Sequence, residues 1–573
     1  MKTLHAQQRL EDLERMQREG VDTLVIGAGI TGAGVALDAA ARGYTTGLID
    51  KNDIASGTSS WSTKLAHGGI RYLPQGDVPL VHEALIERGR MLKNAPHLVR
   101  PLTFVLPLYG YSRRPVGLPV APPGGVGLRE ILGIGLGMYD SLAGKYNFKR
   151  HKAISREETL ALAPCLKPED LKSGFLYTDG QTDDSRLTLA VARSAADKGA
   201  MVATYAEVIG FGKNTNGKLN AAHVRLCAPG ENSKEIVIPA KHIVNATGVY
   251  AEIVEQLTGE APHLKIEPSK GVHLVIRPDV IGVGQDAVVL PETEDNRIIF
   301  MVPWRSSVII GTTDTGGGDL DTPLATEDDV DYLLRHINRS IHTSITMDDV
   351  ISVYAGYRPL LQLRHARNTS RLSRTHTIVE NTAGLISVSG GKLTTYRKMA
   401  EDVMNRVDNQ AGEQRPCSTA EFLLAGGEGL ENARAILREK AQHMNIAADI
   451  AAHLDRTYGA FAPDILAIIE KSPDMARRLY DDLPVIAAEL DYAANAELAL
   501  TLADTLERRL HIGIEARDHG AAAATQTAER LAAMHGWNAD VKQAQTDDFL
   551  RYIARHEAGL RRSEPAARQT SGA

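Results

Sequence analysis

Residues 25–32 read Val-Ile-Gly-Ala-Gly-Ile-Thr-Gly. Gly27, Gly29 and Gly32 form Gly-x-Gly-x-x-Gly between a short apolar run at 22–26 and an alanine-rich stretch at 32–42. The first predicts a buried parallel strand and the second the helix behind it; 45–50 is then the next strand of a right-handed βαβ unit. In such a turn the glycines let the backbone approach a pyrophosphate, and the helix N-terminus supplies amide donors and positive dipole. Asp50, at the end of the second strand, is placed to accept the hydroxyls of an adenosine ribose. A turn without a ligand leaves unexplained why the acid falls at that strand end. The stretch predicts a Rossmann-like α/β domain that binds a dinucleotide.

Three later segments decide which dinucleotide. Residues 56–72 read Ser-Gly-Thr-Ser-Ser-Trp-Ser-Thr-Lys-Leu-Ala-His-Gly-Gly-Ile-Arg-Tyr. Thr58, Ser59, Ser60, Ser62 and Thr63 offer hydroxyls and backbone donors for a second phosphate and a ribityl chain, and His67 and Gly68 extend that contact. Asn245-Ala-Thr-Gly248 ends another apolar strand, placing Thr247 and Gly248 at its tip. Gly390, Gly391, Lys392 and Leu393 open a helix, where amides and dipole stabilise negative charge at the pyrimidine end of a flavin. Only an FAD fold needs all three in this order.

Composition narrows the class without naming a reaction. At 573 residues the chain is too long for one core, and 43% hydrophobic with 24% charged residues is globular. A net charge of −7 gives no reason to expect nucleic acid as a partner. Cys165, Cys227 and Cys417 are odd in number and far apart, so neither a disulfide framework nor a metal site is expected, and a reducing compartment is. The first twenty residues carry Glu11, Asp12, Glu14 and Glu19 and read as a helix, with Leu10, Leu13 and Met16 inward, not as an export signal. The most apolar stretch, 126–143, is broken by Arg129, Glu130 and Asp140, so any membrane contact is peripheral.

Along the chain, 101–137 reads as a long irregular excursion rich in proline and glycine. Residues 184–198 read as an amphipathic helix, 207–240 as antiparallel strands and 270–312 as further short strands. Beyond Cys417 the sequence becomes helical and alanine-dense, with helices predicted at 431–441, 463–471, 493–508 and 520–534. The boundaries expected are an N-terminal helix at 1–20, an FAD-binding domain with an interleaved substrate cap at 21–415, a helical C-terminal domain at 416–560 and a flexible tail at 561–573.

The segment ending in His67-Gly-Gly-Ile-Arg71-Tyr72 resembles that of the FAD-dependent glycerol-3-phosphate dehydrogenases. So do Lys270-Gly-Val-His273, Ile310-Gly-Thr-Thr-Asp314, Tyr357-Arg-Pro-Leu360 and Gly390-Gly-Lys-Leu-Thr-Thr-Tyr-Arg397. The similarity runs from about 21 to 510 and includes Arg456-Thr-Tyr-Gly459 and Glu507-Arg-Arg509. Trp61, and Pro74 after Leu73, depart from the family's pattern at the edge of the site. The resemblance implies oxidation of sn-glycerol 3-phosphate to dihydroxyacetone phosphate, with electrons passed to membrane quinone by a protein held peripherally on the cytoplasmic face of the inner membrane. A homodimer accords with it.

A phosphate monoester of about two negative charges needs several cationic contacts in a partly dry site, and Arg71, Arg358 and Lys392 supply them. Tyr72 is placed to donate to a substrate oxygen; His273 is the most attractive proton acceptor by intrinsic pKa, with His67 as its rival, and a limb near neutrality in the pH profile is expected if His273 is the base. Basic clusters at Lys145, Lys149, Arg150 and Lys152, and at Arg364, Arg367, Arg371 and Arg374, suit anionic headgroups. The rival readings are a glycerol-3-phosphate oxidase using oxygen and, from another class, a non-catalytic or RNA-associated flavin-binding protein.

Overall fold

The computed structural model describes residues 3–112, 127–231, 233–291, 293, 295, 297–361, 376–558 and 560. The heart of the proline-rich excursion, the arginine cluster at 364–374 and the tail from 561 lie outside them.

Among the described residues two sheets position the site. The first is built on Val21–Ile26, flanked in parallel by Thr46–Ile49 and by the inner end of Glu235–Asn245. Met201–Ala203 and Leu385–Ser389 continue the parallel order outward, and Thr377–Glu380 closes one edge antiparallel. Alternate residues serve opposite faces. Val25, Leu48 and Val244 join one core with helices Ile30–Ala41, Asp184–Asp197 and Tyr396–Ala411. Leu24, Ile26 and Ile49 join the other, beneath helix Ala6–Glu19 and the hairpin Ala206–Lys213/Leu219–Leu226. Burial on both faces explains why these strands read as unbroken apolar runs.

The second sheet has ten strands, mostly antiparallel. Ile266–Ile276 pairs with Ser307–Gly311 on one side and with Val350–Leu361 on the other, which sets His273 opposite Gly311 and Tyr354 and places Arg358 opposite Ser269. Leu65–Ala66 joins its far edge against Gly180 and Gln181, so residues 56–72 cross from one sheet to the other. Helix Glu327–Ser340 seals the core on one face. The α/β architecture with a helical C-terminal domain, read from the sequence, holds.

Several elements differ from expectation. Part of the supposed irregular stretch is a strand, Val99–Tyr109, whose Pro101 and Pro107 stand opposite Gly180 and Gly174. Asp184–Asp197 is amphipathic in sequence yet buried along nearly its whole length, because both the sheet and the C-terminal helices cover it. Leu10 is exposed, and Arg9 takes the inward position by pairing with Glu231. The helix predicted at 493–508 breaks. Ala488–Ala496 ends, Leu498 takes a left-handed φ of 55°, and Asp504 accepts the Leu500 and Thr501 amides to start a wider π-turn, Asp504–Arg509.

Candidate active site

The glycine turn is shaped by two distinct requirements. Gly27 has φ +103°, and a Cβ there would lie 2.7 Å from the Ala246 carbonyl oxygen; one on Gly32 would lie 1.8 Å from the Gly27 oxygen. Those two positions demand glycine for the turn to close. Gly29 is different: its φ of −70° is open to any residue, and the one atom near an added Cβ is Ser59 Oγ at 3.2 Å. Its glycine keeps space clear over the start of Ile30–Ala41, whose Ile30 amide is taken by Ser59 Oγ. Asp50 accepts from the Ala28 amide at 2.6 Å and the Asn52 amide at 2.8 Å. Desolvation still pushes its carboxyl up to about 6. Thr247 and Gly248 follow Ala246, whose amide bonds Ile26, so their turn lies beside Gly27. Cleared space at a helix start and an acceptor at the strand end fit an adenine dinucleotide.

The hydroxyls of 58–63 are largely engaged with protein. Thr58 donates to the Tyr357 carbonyl (2.6 Å), Ser59 accepts the Ile30 amide (2.9 Å), and Ser60 donates to the Ala55 carbonyl (2.6 Å). Ser62 bonds Asp184, whose carboxylate also takes the buried Lys64 ammonium at 2.6 Å. Just upstream, Asp53 is enclosed by Arg508 and Arg509 at 2.6 and 2.7 Å. The segment is thus fixed at both ends by buried ion pairs, presenting its backbone along the space above the glycine turn.

Two polar groups lie along this segment. In one, Thr63 Oγ1 bonds His273 Nε2 at 2.9 Å, and the imidazole stacks on Tyr354 with centroids 4.7 Å apart. His273 Nδ1 is buried and has no partner among the described residues. Burial, then the charges of Arg358 and Lys64, hold this imidazole well below its usual pKa. The limb expected near neutrality therefore does not belong to His273, which stays neutral there. Arg358 donates to Thr312 Oγ1 at 3.1 Å and to Ser269 Oγ at 3.3 Å, with Asp314 at 3.7 Å. An added Cβ on Gly271 would come within 2.4 Å of that guanidinium, and one on Gly311 within 2.2 Å of the His273 ring. Both glycines make room for these two side chains.

In the other group Arg71 donates to Tyr72 Oη at 2.9 Å, and Lys392 Nζ stands 4.0 Å from the centre of the Tyr72 ring. Gly390 and Gly391 have φ of +81° and +76°, swinging the chain so that Lys392 and Leu393 begin the turn into Tyr396–Ala411. Thr394 Oγ1 accepts the His67 amide at 3.1 Å, tying this turn to the 56–72 segment, while the Gly68 amide bonds Asp179. Lys270, from the same motif as His273, turns away to Asp329 at 2.8 Å.

Sequence reasoning missed the residues that hold these groups in place: Thr312, Ser269, Tyr354, Thr394, Lys64, Asp184 and Asp53. Thr312, Thr394 and Lys64 stood inside quoted motifs, and that was a usable signal. Ion pairs such as Lys64–Asp184 join residues 120 apart, which no spacing reveals.

Comparisons with known proteins bear on the fold that carries this geometry. The family model described as FAD dependent oxidoreductase matches residues 22–397, and that described as the C-terminal domain of alpha-glycerophosphate oxidase matches 417–542. A glycerol-3-phosphate dehydrogenase of Mycobacterium leprae is 36% identical over 586 residues, covering 99% of this chain and 95% of its own. The mitochondrial glycerol-3-phosphate dehydrogenase of Rattus norvegicus is 34% identical over 552 residues, 93% of this chain and 73% of its own. The crystal structure of glycerol-3-phosphate dehydrogenase from Bacillus halodurans, complexed with FAD, superposes with a TM-score of 0.76 at 28% identity over 96% of this chain and 97% of that one.

Proposed function

The chain belongs to the FAD-dependent oxidoreductase family, among the glycerol-3-phosphate dehydrogenases, and on that premise we propose that it oxidises sn-glycerol 3-phosphate at C2 to dihydroxyacetone phosphate and passes the electrons to a membrane quinone. The observation that carries the reading is the placing of His273 and Arg358 at one end of the 58–72 segment and Lys392, Arg71 and Tyr72 at the other. FAD, when bound, supplies the hydride acceptor. Gly27, Gly29, Gly32, Asp50 and the 245–248 turn would hold its adenosine and pyrophosphate half; Thr58, Ser59, Ser60, Thr63, His67, Gly68 and the 390–393 turn would hold the rest.

The chain's own residues do the remainder. Arg358, Lys392 and Arg71 bind and orient the phosphate monoester by charge-assisted hydrogen bonds. Tyr72, polarised by Arg71 at its oxygen, donates to a substrate oxygen. His273 accepts the proton of the C2 hydroxyl: it is neutral because it is buried beside cations, and Thr63 and the Tyr354 ring fix its plane.

Among the described residues no helix is long and apolar enough to cross a membrane. What supports peripheral docking is helix Leu128–Ala143. Leu128, Leu132, Leu136 and Tyr139 face the protein core, while Ile131, Ile134 and Met138 stand 43%, 67% and 47% exposed on the outer face. Lys145, Lys149, Arg150 and Lys152 follow immediately and are all exposed. An apolar strip beside a basic cluster suits the surface of an anionic bilayer, where quinone is reached.

Anaerobic mixing of holoprotein with sn-glycerol 3-phosphate should bleach the flavin absorbance, and added quinone should restore it. A flavin that stays oxidised with this substrate overturns the assignment. Restoration by oxygen as fast as by quinone in vesicles favours the oxidase.

A further inference from the structure

A cleft with a cavity volume of about 60 Å³ lies between the second sheet and the C-terminal helices, and two arginines on its walls hydrogen-bond to neutral oxygens. Arg100, on strand Val99–Tyr109, donates through Nε and Nη2 to a neutral amide oxygen, Gln181 Oε1, at 2.9 and 2.7 Å. Facing it from helix Ala448–Tyr458, Arg456 donates through Nε to the Ala452 carbonyl at 3.3 Å. Arg305 lines the same cleft, but its charge is met by Glu515 at 2.7 Å. The lining carboxylate, Asp183, is already taken by Arg305 and by His511 at 2.8 Å. Arg100 and Arg456 are each held below their usual pKa, first by desolvation and then by a neighbouring arginine: Arg456 for the one, Arg305 for the other.

Folding thus brings together two guanidiniums with only neutral oxygens on them. Like charges drawn together in a partly dry cleft raise the free energy of the empty state, and an anion relieves it. The fork of a guanidinium matches the oxygens of a phosphate or carboxylate group. His97 adds a neutral polar atom at the back of the cleft: its Nδ1 is buried without a partner among the described residues, and burial drives its pKa down to about 3. Its ring is seated against two glycines, where an added Cβ on Gly426 would lie 2.6 Å away and one on Gly459 2.7 Å away. Gly459 and Arg456 belong to the one motif Arg456-Thr-Tyr-Gly459, which the reaction leaves unused. One residue of it makes room for His97, and another brings charge to the cleft.

We propose that this cleft is a second anion site, separate from the flavin-side pocket, which takes a small phosphate-class dianion between Arg100 of the sheet and Arg456 of the C-terminal domain. Because its two arms come from different domains, an occupant ties them together. Anything that binds the folded form alone raises its stability with concentration. The site therefore reports the level of a phosphate compound as a change in how firmly the C-terminal helices are docked.

The test uses holoprotein and inorganic phosphate, with sodium chloride at matched ionic strength as the comparison. Phosphate should raise the melting temperature of the wild type more than chloride does, with a saturable curve. Arg100→Gln and Arg456→Gln should each weaken that response by about tenfold or more in phosphate concentration, as expected for one lost charge-assisted contact. The KM for glycerol 3-phosphate in phosphate-free buffer should stay unchanged. Both residues keep part of their surface in solvent at the cleft mouth, so flavin content should be retained, and Arg456→Lys, which keeps the charge but not the fork, should weaken the response in the same direction. Repeating the titration with glycerol 2-phosphate separates a site for free phosphate from one for monoesters. An equal response in the wild type and in both glutamine variants, or an equal effect of chloride, overturns the proposal.

Discussion

Gly29 tests the cofactor reading more cleanly than its neighbours do. Its backbone is ordinary and its surroundings open, so Gly29→Val should leave the apoprotein folded and fill the pyrophosphate space. Native circular dichroism with no bound FAD is the expected result; full flavin content would mean that the turn is not the phosphate site. Asp50 gives a pH prediction. An unfolded aspartate ionises near ~3.9, and the folded carboxyl near about 6. Between those values the folded apoprotein holds a proton that the unfolded chain has released, so this group's contribution to stability is lost as pH rises through that window. Ribose hydroxyls donate best to the ionised form. FAD affinity should therefore fall as pH drops below about 6, with proton release on binding, and Asp50→Asn should bind more weakly and without that dependence. Titrating apoprotein with FAD by flavin fluorescence checks both. Arg358, held by Thr312 and Ser269, is a substrate contact in the proposed function. Arg358→Ala should keep FAD and lose about 2–5 kcal/mol of transition-state binding, tens- to thousands-fold in kcat/KM. Steady-state kinetics with normal turnover would remove it from the site.

At the level of elements, the π-turn Asp504–Arg509 does what the straight helix predicted there would not. It turns Arg508 and Arg509 together onto Asp53, three residues beyond Asp50 on the first sheet. Both arginines hold the Asp53 carboxyl below its ordinary range. This pair's contribution is therefore present above the unfolded aspartate pKa of ~3.9 and is lost as pH falls through the lowered folded value. Removing Arg509 leaves the buried Asp53 carboxylate with Arg508 alone, so part of its desolvation cost is no longer offset. Arg509→Leu should lower unfolding free energy by up to about 3 kcal/mol and loosen FAD, because Asp53 leads directly into the 56–72 segment. Urea denaturation with flavin release as a second signal measures it; an unchanged midpoint would show that the C-terminal domain does not brace the cofactor segment.

On the scale of the whole molecule, docking to lipid should be reversible and salt-sensitive. The Debye length shrinks to about 3 Å at 1 M salt, so binding to anionic vesicles should weaken sharply there. Ile134→Asp should reduce vesicle binding and quinone turnover while leaving turnover with a soluble dye intact; equal quinone and dye rates, with no vesicle binding, would discard the membrane reading. The division of labour between chain and fold follows from range. The glycine turn, Asp50 at its strand end and the helical C-terminal stretch were legible because backbone geometry and burial periodicity act over a few residues. His273 with Arg358, and Lys392 with Tyr72, were readable as types within motifs, and not as neighbours. Strand register alone set His273 opposite Gly311 and Tyr354 and Arg358 opposite Ser269. Likewise, desolvation beside Arg358 and Lys64 moved the His273 pKa away from neutrality, and packing from both sides buried the helix that looked amphipathic. Charge, burial and orientation at a site depend on side chains hundreds of residues apart, as with Asp53 and Arg509, and only the folded chain brings them within a few ångströms.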